Sequence, residues 1–342
     1  MKIPLPAVTA NKDRNIETIR GIAILIIVIG HVIGADSMGG MQVPDDSVWR
    51  YMYYSVNFLG VPLFTAIAGW VYALKPVKRH GVADFLKKKA RRLLLPMVFV
   101  GTLFFLVQYI TPGTNTRGDL AQIWQIYVLP YTIFWYLQSL FLVFCVIALL
   151  DIFSLCSSLK SWGVVMLLAV AATFVEPHIS SRTLNVFGIW GSFCILPYFL
   201  LGIAINRFPE TLASKPARRL YPIVFLIGIM LFQSAWYIEE IFAVRTLWFS
   251  VFIKLVAVAF LMTLSFTNQM FIFLGHYAYS IFLFHVFGTG GGRIILKMLG
   301  IYHELPIFLF ASLLGLAIPV VIDKVLSRNR ITALLFLGQE KS

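Results

Sequence analysis

Arg20 and His31 bracket an apolar run, RGIAILIIVIGH, in which nothing else can ionise. Eleven residues at about 100° each make roughly three turns plus ~20°, so both side chains share one helix face. At ~1.5 Å of rise per residue they stand about 16 Å apart, near half of a ~30 Å hydrocarbon core. An imidazole there can take a proton from a hydroxyl. A guanidinium can hold an anionic group through its rigid fork of donors. The competing reading makes Arg20 a snorkelling anchor and His31 an interfacial residue. Ionisable groups in a membrane-length segment are costly, and by default they mark function.

A second cluster follows in the loop KPVKRHGVADFLKKKARR, which reads as an amphipathic interfacial segment leading into a membrane span. Its cations Lys87, Lys88, Lys89, Arg91 and Arg92 precede Leu93-Leu94-Leu95-Pro96. They can grip phosphates at the membrane edge, or they serve only as a topology signal against anionic lipid. No Walker-type loop accompanies them, so nucleotide hydrolysis is not suggested. His285, within YSIFLFH, reads equally as an interhelical packing histidine or as a functional group. The run Gly288-Thr289-Gly290-Gly291-Gly292 reads as a flexible turn, and Gly60-Val61-Pro62 as a kink. Glu176, His178, Glu239 and Glu240 read as solvated outer-surface residues. No Cys/His spacing suggests a metal, and Cys145, Cys156 and Cys194 read as packing residues.

The elements that must position these groups follow from composition. Of 342 residues, 59% are hydrophobic and 13% charged, with mean hydropathy +0.85. A soluble domain carries nearer a quarter charged residues, so the chain reads as a polytopic membrane protein. Ten apolar segments can cross as helices: 16–34, 56–74, 93–111, 133–153, 162–177, 189–206, 220–237, 246–266, 271–290 and 305–326. Their apolar runs are continuous and do not alternate, which excludes a β-barrel. The expected fold is an all-α bundle of about ten transmembrane helices in a single domain, 1–342. With the N-terminus cytoplasmic, 21 of the 28 Lys and Arg fall on the inner side. That asymmetry is the positive-inside rule, with both termini cytoplasmic. It accounts for the +13 charge without a nucleic-acid partner. Arg50, Arg117, Arg182, Arg245, Arg293 and Lys297 are the outer-side exceptions, and the first span reads as a retained anchor.

Taken in order, these segments resemble the acyltransferase-3 family of integral-membrane O-acyltransferases. The resemblance covers nearly the whole chain. It rests on Arg20-Gly21-Ile22-Ala23 through His31, and on Gly60-Val61-Pro62-Leu63-Phe64 leading to Gly69. It continues with Phe85, the basic cluster and Pro96, with Lys89 and Arg92 at the family's R-x-x-R positions. Phe134-Trp135-Tyr136-Leu137, Pro197-Tyr198 through Gly202, and Gly275 through Ser280 and Ile281 to His285 complete it. Ala68, Lys89 and Phe282 depart from the common Ser, Arg and Tyr. Lysine keeps the charge and loses the bidentate fork.

The resemblance implies acyl transfer from acetyl-coenzyme A, or another acyl-coenzyme A, to a sugar hydroxyl of a bacterial surface polysaccharide or its lipid-linked precursor. The setting would be the inner membrane, with no metal. Lys88, Lys89, Arg91 and Arg92 would hold the donor's phosphates, Arg20 would orient its thioester, and His31 would deprotonate the acceptor. Trp135, Tyr136, Tyr198 and His285 would shape the sugar site. Partners would be membrane lipids and, for a non-catalytic role, polysaccharide assembly machinery. A transporter or flippase of amphipathic or glycan-linked solutes is the other class; it should show inverted repeats and paired broken helices.

Overall fold

The computed structural model describes residues 13–115, 117–180, 184–237 and 248–340. Arg182, Arg245, Glu239 and Glu240, and the side chains of Glu176 and His178, lie outside them. The described residues form helices and no strand. In chain order they are α1 (Arg14–Ile33), α2 (Val48–Val56), α3 (Gly60–Leu74), α4 (Val82–Ile110) and α5 (Gln125–Val128). Next come α6 (Trp135–Ile152), α7 (Leu159–Ser180), α8 (Ile189–Arg207), α9 (Pro209–Leu212) and α10 (Lys215–Tyr237). The last are α11 (Trp248–Thr263), α12 (Gln269–His276), α13 (Ala278–Met298), α14 (Glu304–Leu326) and α15 (Arg330–Leu337).

Among the described residues, seven helical stretches are long and apolar enough to cross a membrane. The other three expected spans coincide with α7, α10 and α11. The chain is thus an all-α, multi-pass membrane protein. Two expectations about boundaries change. At Gly60-Val61-Pro62 the break in the helix lies just ahead of the expected kink: a 3-10 turn at Asn57–Leu59 separates α2 from α3. Pro62 then sits in the first turn of α3, where a missing N–H goes unnoticed. The glycine run is no turn. Residues 288–292 lie inside α13, which carries on to Met298 and takes Arg293 into the helix.

The chain divides into two compact units, one of residues 1–60, 88–137 and 267–342, the other of 61–87 and 138–266. In the second unit, α3 and α8 cross on glycines. A Cβ at Gly69 would strike the Phe199 carbonyl, and one at Gly202 the Ala66 carbonyl. Small residues let membrane helices approach this closely, since lipid tails offer no hydrophobic drive between them. Both glycines belong to the motifs read above, and their common cause is this crossing. Gly202→Ala should therefore lower stability by about 1–3 kcal/mol, the usual range for overpacking. A thermal melt of the detergent-solubilised protein checks it, and an unchanged midpoint would refute the crossing.

The same unit buries a polar network. Arg207 pairs with Asp151 at 2.6 Å and donates to the Cys156 carbonyl at 3.0 Å, while the Tyr72 hydroxyl donates to Asp151 at 2.7 Å. Burial pushes the Cys156 thiol up to about 11. That suits a packing residue, because only the thiolate is reactive.

In the first unit, α1 packs on α12 through paired glycines. A Cβ at Gly21 would meet the Phe271 carbonyl, and one at Gly275 the Glu17 carbonyl. The pairings 17 with 275 and 21 with 271 make the two helices antiparallel. The chain then turns at Tyr277, and α13 runs back alongside α1. On its other side α13 meets α14 through Gly288 and Gly292, where a Cβ at Gly292 would lie 2.9 Å from Ala311 Cα.

Candidate active site

His31 ends α1 next to a cavity of about 200 Å³ in the first unit. Its ring is open to that space, and behind it stands His285 of α13, ring centroids 4.9 Å apart and planes tilted by 50°. His285 is fully buried. Its Nδ1 faces the carbonyls of Ile281 and Phe282 at 3.0 and 2.9 Å. A nitrogen facing two carbonyls must carry the proton, so in the neutral ring Nε2 holds the lone pair. Nε2 has no hydrogen-bond partner.

Three elements supply most of the remaining lining, completed by Val32 of α1 and Ala311 of α14. From α4 come Phe104, Val107 and Gln108, followed by Thr111, Thr114 and Asn115. From the loop after α1 come Gly40 and Met41. From α13 come Val286, Phe287, Thr289, Gly290, Gly291, Arg293 and Ile294. A Cβ at Gly290 or Gly291 would meet nothing within 4 Å. The glycine run thus divides by face: 288 and 292 admit α14, and 290 and 291 leave the cavity open.

The loop after α1 is held from beneath. Gly34 (φ +89°) and Gly40 (φ +48°) adopt backbone that disfavours side chains, and Met41 donates to the Val32 carbonyl at 2.8 Å. Arg50, fully buried, donates to the carbonyls of Gly34 and Val43 and pairs with Asp45 at 3.2 Å. Arg293 joins this loop to the one after α4. It donates to the Gly40 carbonyl at 3.1 Å, the Gly113 carbonyl at 2.9 Å and the Asn115 side-chain oxygen.

The cations gather at the opposite end of the same helices. Arg92 lies 3.9 Å over the Tyr279 ring, near the start of α13, and donates to the Leu337 carbonyl at 2.5 Å. The Tyr279 hydroxyl donates to the Arg92 carbonyl. Arg91 pairs with Glu340 at 2.6 Å; Lys89 is half-buried and Lys88 exposed. Farther along, Phe104 meets Phe287 at 5.2 Å, so α4 and α13 run parallel. Twelve residues separate Arg92 from Phe104, roughly 18 Å of helix. On α1, Arg20 sits half-buried at this cationic end and pairs with Glu17 at 2.5 Å. The first unit therefore has a cationic end and a histidine end, and α1, α4 and α13 reach both.

The remaining candidates stand elsewhere. Tyr136 is buried against Phe282 at 5.2 Å, with Trp135 beside it at 6.0 Å. Tyr198 is buried in α8 of the second unit. None of these three lines the cavity, nor does Arg20. Sequence reasoning missed Glu17, whose i, i+3 spacing to Arg20 signals the pair. It also missed Arg293 as a site residue. Continued helical spacing, 285, 289, 293, puts it on the face of His285 once the glycines are read as helix.

A family model described as an acyltransferase domain matches residues 13–324. The nodulation protein NolL of Mesorhizobium japonicum is 27% identical over 178 residues, which cover 51% of this chain and 44% of that protein. The match thus spans less than half the length of that curated relative. No solved structure matches the chain. With the family model covering residues 13–324, α1, α4 and α13 among them, this chain belongs to the acyltransferase-3 family.

Proposed function

We propose that this protein transfers an acyl group, acetyl in the first instance, from cytoplasmic acyl-coenzyme A to a sugar hydroxyl. The acceptor would be a bacterial cell-envelope polysaccharide or its lipid-linked precursor, and the membrane the inner membrane. One observation carries the reading: an accessible imidazole lines a cavity at one end of helices whose other end gathers cations. A phosphate-rich donor suits the second end and a hydroxyl acceptor the first.

Lys88, Lys89, Arg91 and Arg92 would hold the phosphates through charge-assisted hydrogen bonds. Glu17 already balances the charge of Arg20, so Arg20 would act by orienting donor atoms rather than by net charge. At the cavity, His31 takes the acceptor hydroxyl's proton as the oxygen attacks the thioester carbonyl. A C–O bond forms, the C–S bond breaks, and the leaving thiolate takes the proton back from the imidazolium. The products are the sugar ester and free coenzyme A. A thioester is already activated, so alignment and proton transfer supply most of what is needed. His285, with its Nδ1 proton tied to two carbonyls, backs the His31 ring and limits its rotation.

Membranes given coenzyme A esterified with radiolabelled acetate should retain label covalently on glycan. Label that crosses the membrane unchanged would instead identify a transporter. A second expectation concerns the donor end. Arg92→Ala should raise the KM for acetyl-coenzyme A by about tenfold or more while kcat stays within about threefold, since hydrogen bonds to charged groups contribute about 1.5–3 kcal/mol. An unchanged KM would remove Arg92 from phosphate binding.

A further inference from the structure

We propose that the cavity beside His31 takes a negatively charged acceptor, a sugar bearing a carboxylate or a phosphate, and that Arg293 selects it. The proposal rests on the acyl-transfer reading and names the substrate class of its acceptor end.

Arg293 is 4% exposed in a helix of membrane-spanning length. Its partners are all neutral: the carbonyls of Gly40 and Gly113 and the side-chain oxygen of Asn115. Its Nε is buried without an acceptor. Among the described residues no carboxylate lies within ion-pair distance of it, and no Asp or Glu lines the cavity. Arg50 shows the contrast. It clamps the same loop through the same kind of carbonyl contacts, yet it also has Asp45 at 3.2 Å. Neutral acceptors satisfy the hydrogen bonds of a guanidinium without cancelling its charge, and a buried charge without its counterpart is costly. Lys297, one turn farther on, adds a second positive group whose partner is the neutral amide of Gln42 at 2.8 Å.

The cavity therefore rests with an uncompensated positive field. A transient reaction oxyanion would relieve it only during the chemical step, whereas an anionic acceptor relieves it in the bound ground state. At about 200 Å³, the space of six or seven waters at about 30 Å³ each, the cavity suits one sugar ring rather than an oligosaccharide.

The test places a thiol in the cavity and reads the local potential. Gly290 lines the open space and precedes Arg293 by three residues, so on the helix their Cβ atoms are about 5–6 Å apart. Gly290→Cys protein in native membranes is labelled with sulfonatoethyl (anionic) and trimethylammonioethyl (cationic) methanethiosulfonate. Rates are corrected for the three native cysteines with the parent protein and normalised to a free thiol. The anionic reagent should be favoured by about tenfold, the order expected for unit charges at this range in a partly aqueous site. Adding Arg293→Gln should bring the ratio to within about twofold of one, while Arg293→Lys should retain it. Local loosening would speed both reagents alike and leave the ratio unchanged. In the second arm, methyl glucuronide or glucose 1-phosphate should slow labelling, and the one that does identifies carboxylate or phosphate; methyl glucoside should not. A ratio at or below one, a ratio indifferent to Arg293→Gln, or protection by the neutral sugar alone or by none overturns the proposal. If the charge preference holds but membranes place no acyl label on any glycan, the acyl-transfer reading fails instead.

Discussion

Replacing His31 with alanine should reduce acyl transfer by about 10³-fold, within the range of about 10²–10⁴ that a positioned general base contributes. The effect is expected on kcat, because the ring is needed when the hydroxyl proton moves. The fold should survive, since His31 occupies the last turns of α1 with its ring toward open space rather than in the close-packed core. Measuring coenzyme A release by purified protein, alongside a melt, separates the two effects. Wild-type turnover in the alanine variant would remove His31 from the mechanism. Arg20→Ala should also abolish transfer, with an added loss of stability from breaking its ion pair with Glu17, which is 4% exposed.

The second large effect comes from filling the cavity without touching a polar group. Gly290→Leu puts a branched side chain where a Cβ meets nothing within 4 Å. Glycine in a helix interior costs about 1 kcal/mol relative to alanine, so the substitution should hold or raise the melting midpoint. Transfer should nonetheless fall by about 100-fold or more, because the acceptor loses its place. A stable, fully active Gly290→Leu protein would show that the cavity is not where the acceptor binds. Its neighbour Gly292, where an added Cβ would lie 2.9 Å from Ala311 Cα, should respond the opposite way: a larger side chain there should lower stability first.

These two glycines show how far the sequence could be read. The spans were legible because long apolar runs have few alternatives in lipid. A shared face for Arg20 and His31 was expected from helical period, and the cations in α4 were read from the run of Lys and Arg ahead of Pro96. The Gly288–Gly292 run misled, because glycine signals both a turn and a close helix crossing. Local sequence does not separate these; the α14 surface against Gly288 and Gly292 does. Ending the span there put Arg293 in an outer loop. Its partner Asn115 lies 178 residues away, and the Leu337 carbonyl lies 245 residues from Arg92. Contacts of that range leave no periodicity to find. Glu17 beside Arg20 was within reach, as a short-range pair on one helix face.

The central claim is that donor and acceptor occupy opposite ends of one set of helices. Vesicles of uniformly oriented protein test it most directly, with radiolabelled acetyl-coenzyme A confined to the face bearing Arg92 and envelope glycan supplied on one side or the other. The account predicts acetyl ester on glycan across the membrane from the donor, with free coenzyme A remaining on the donor's side. Ester formed only on glycan sharing the donor's side would contradict it.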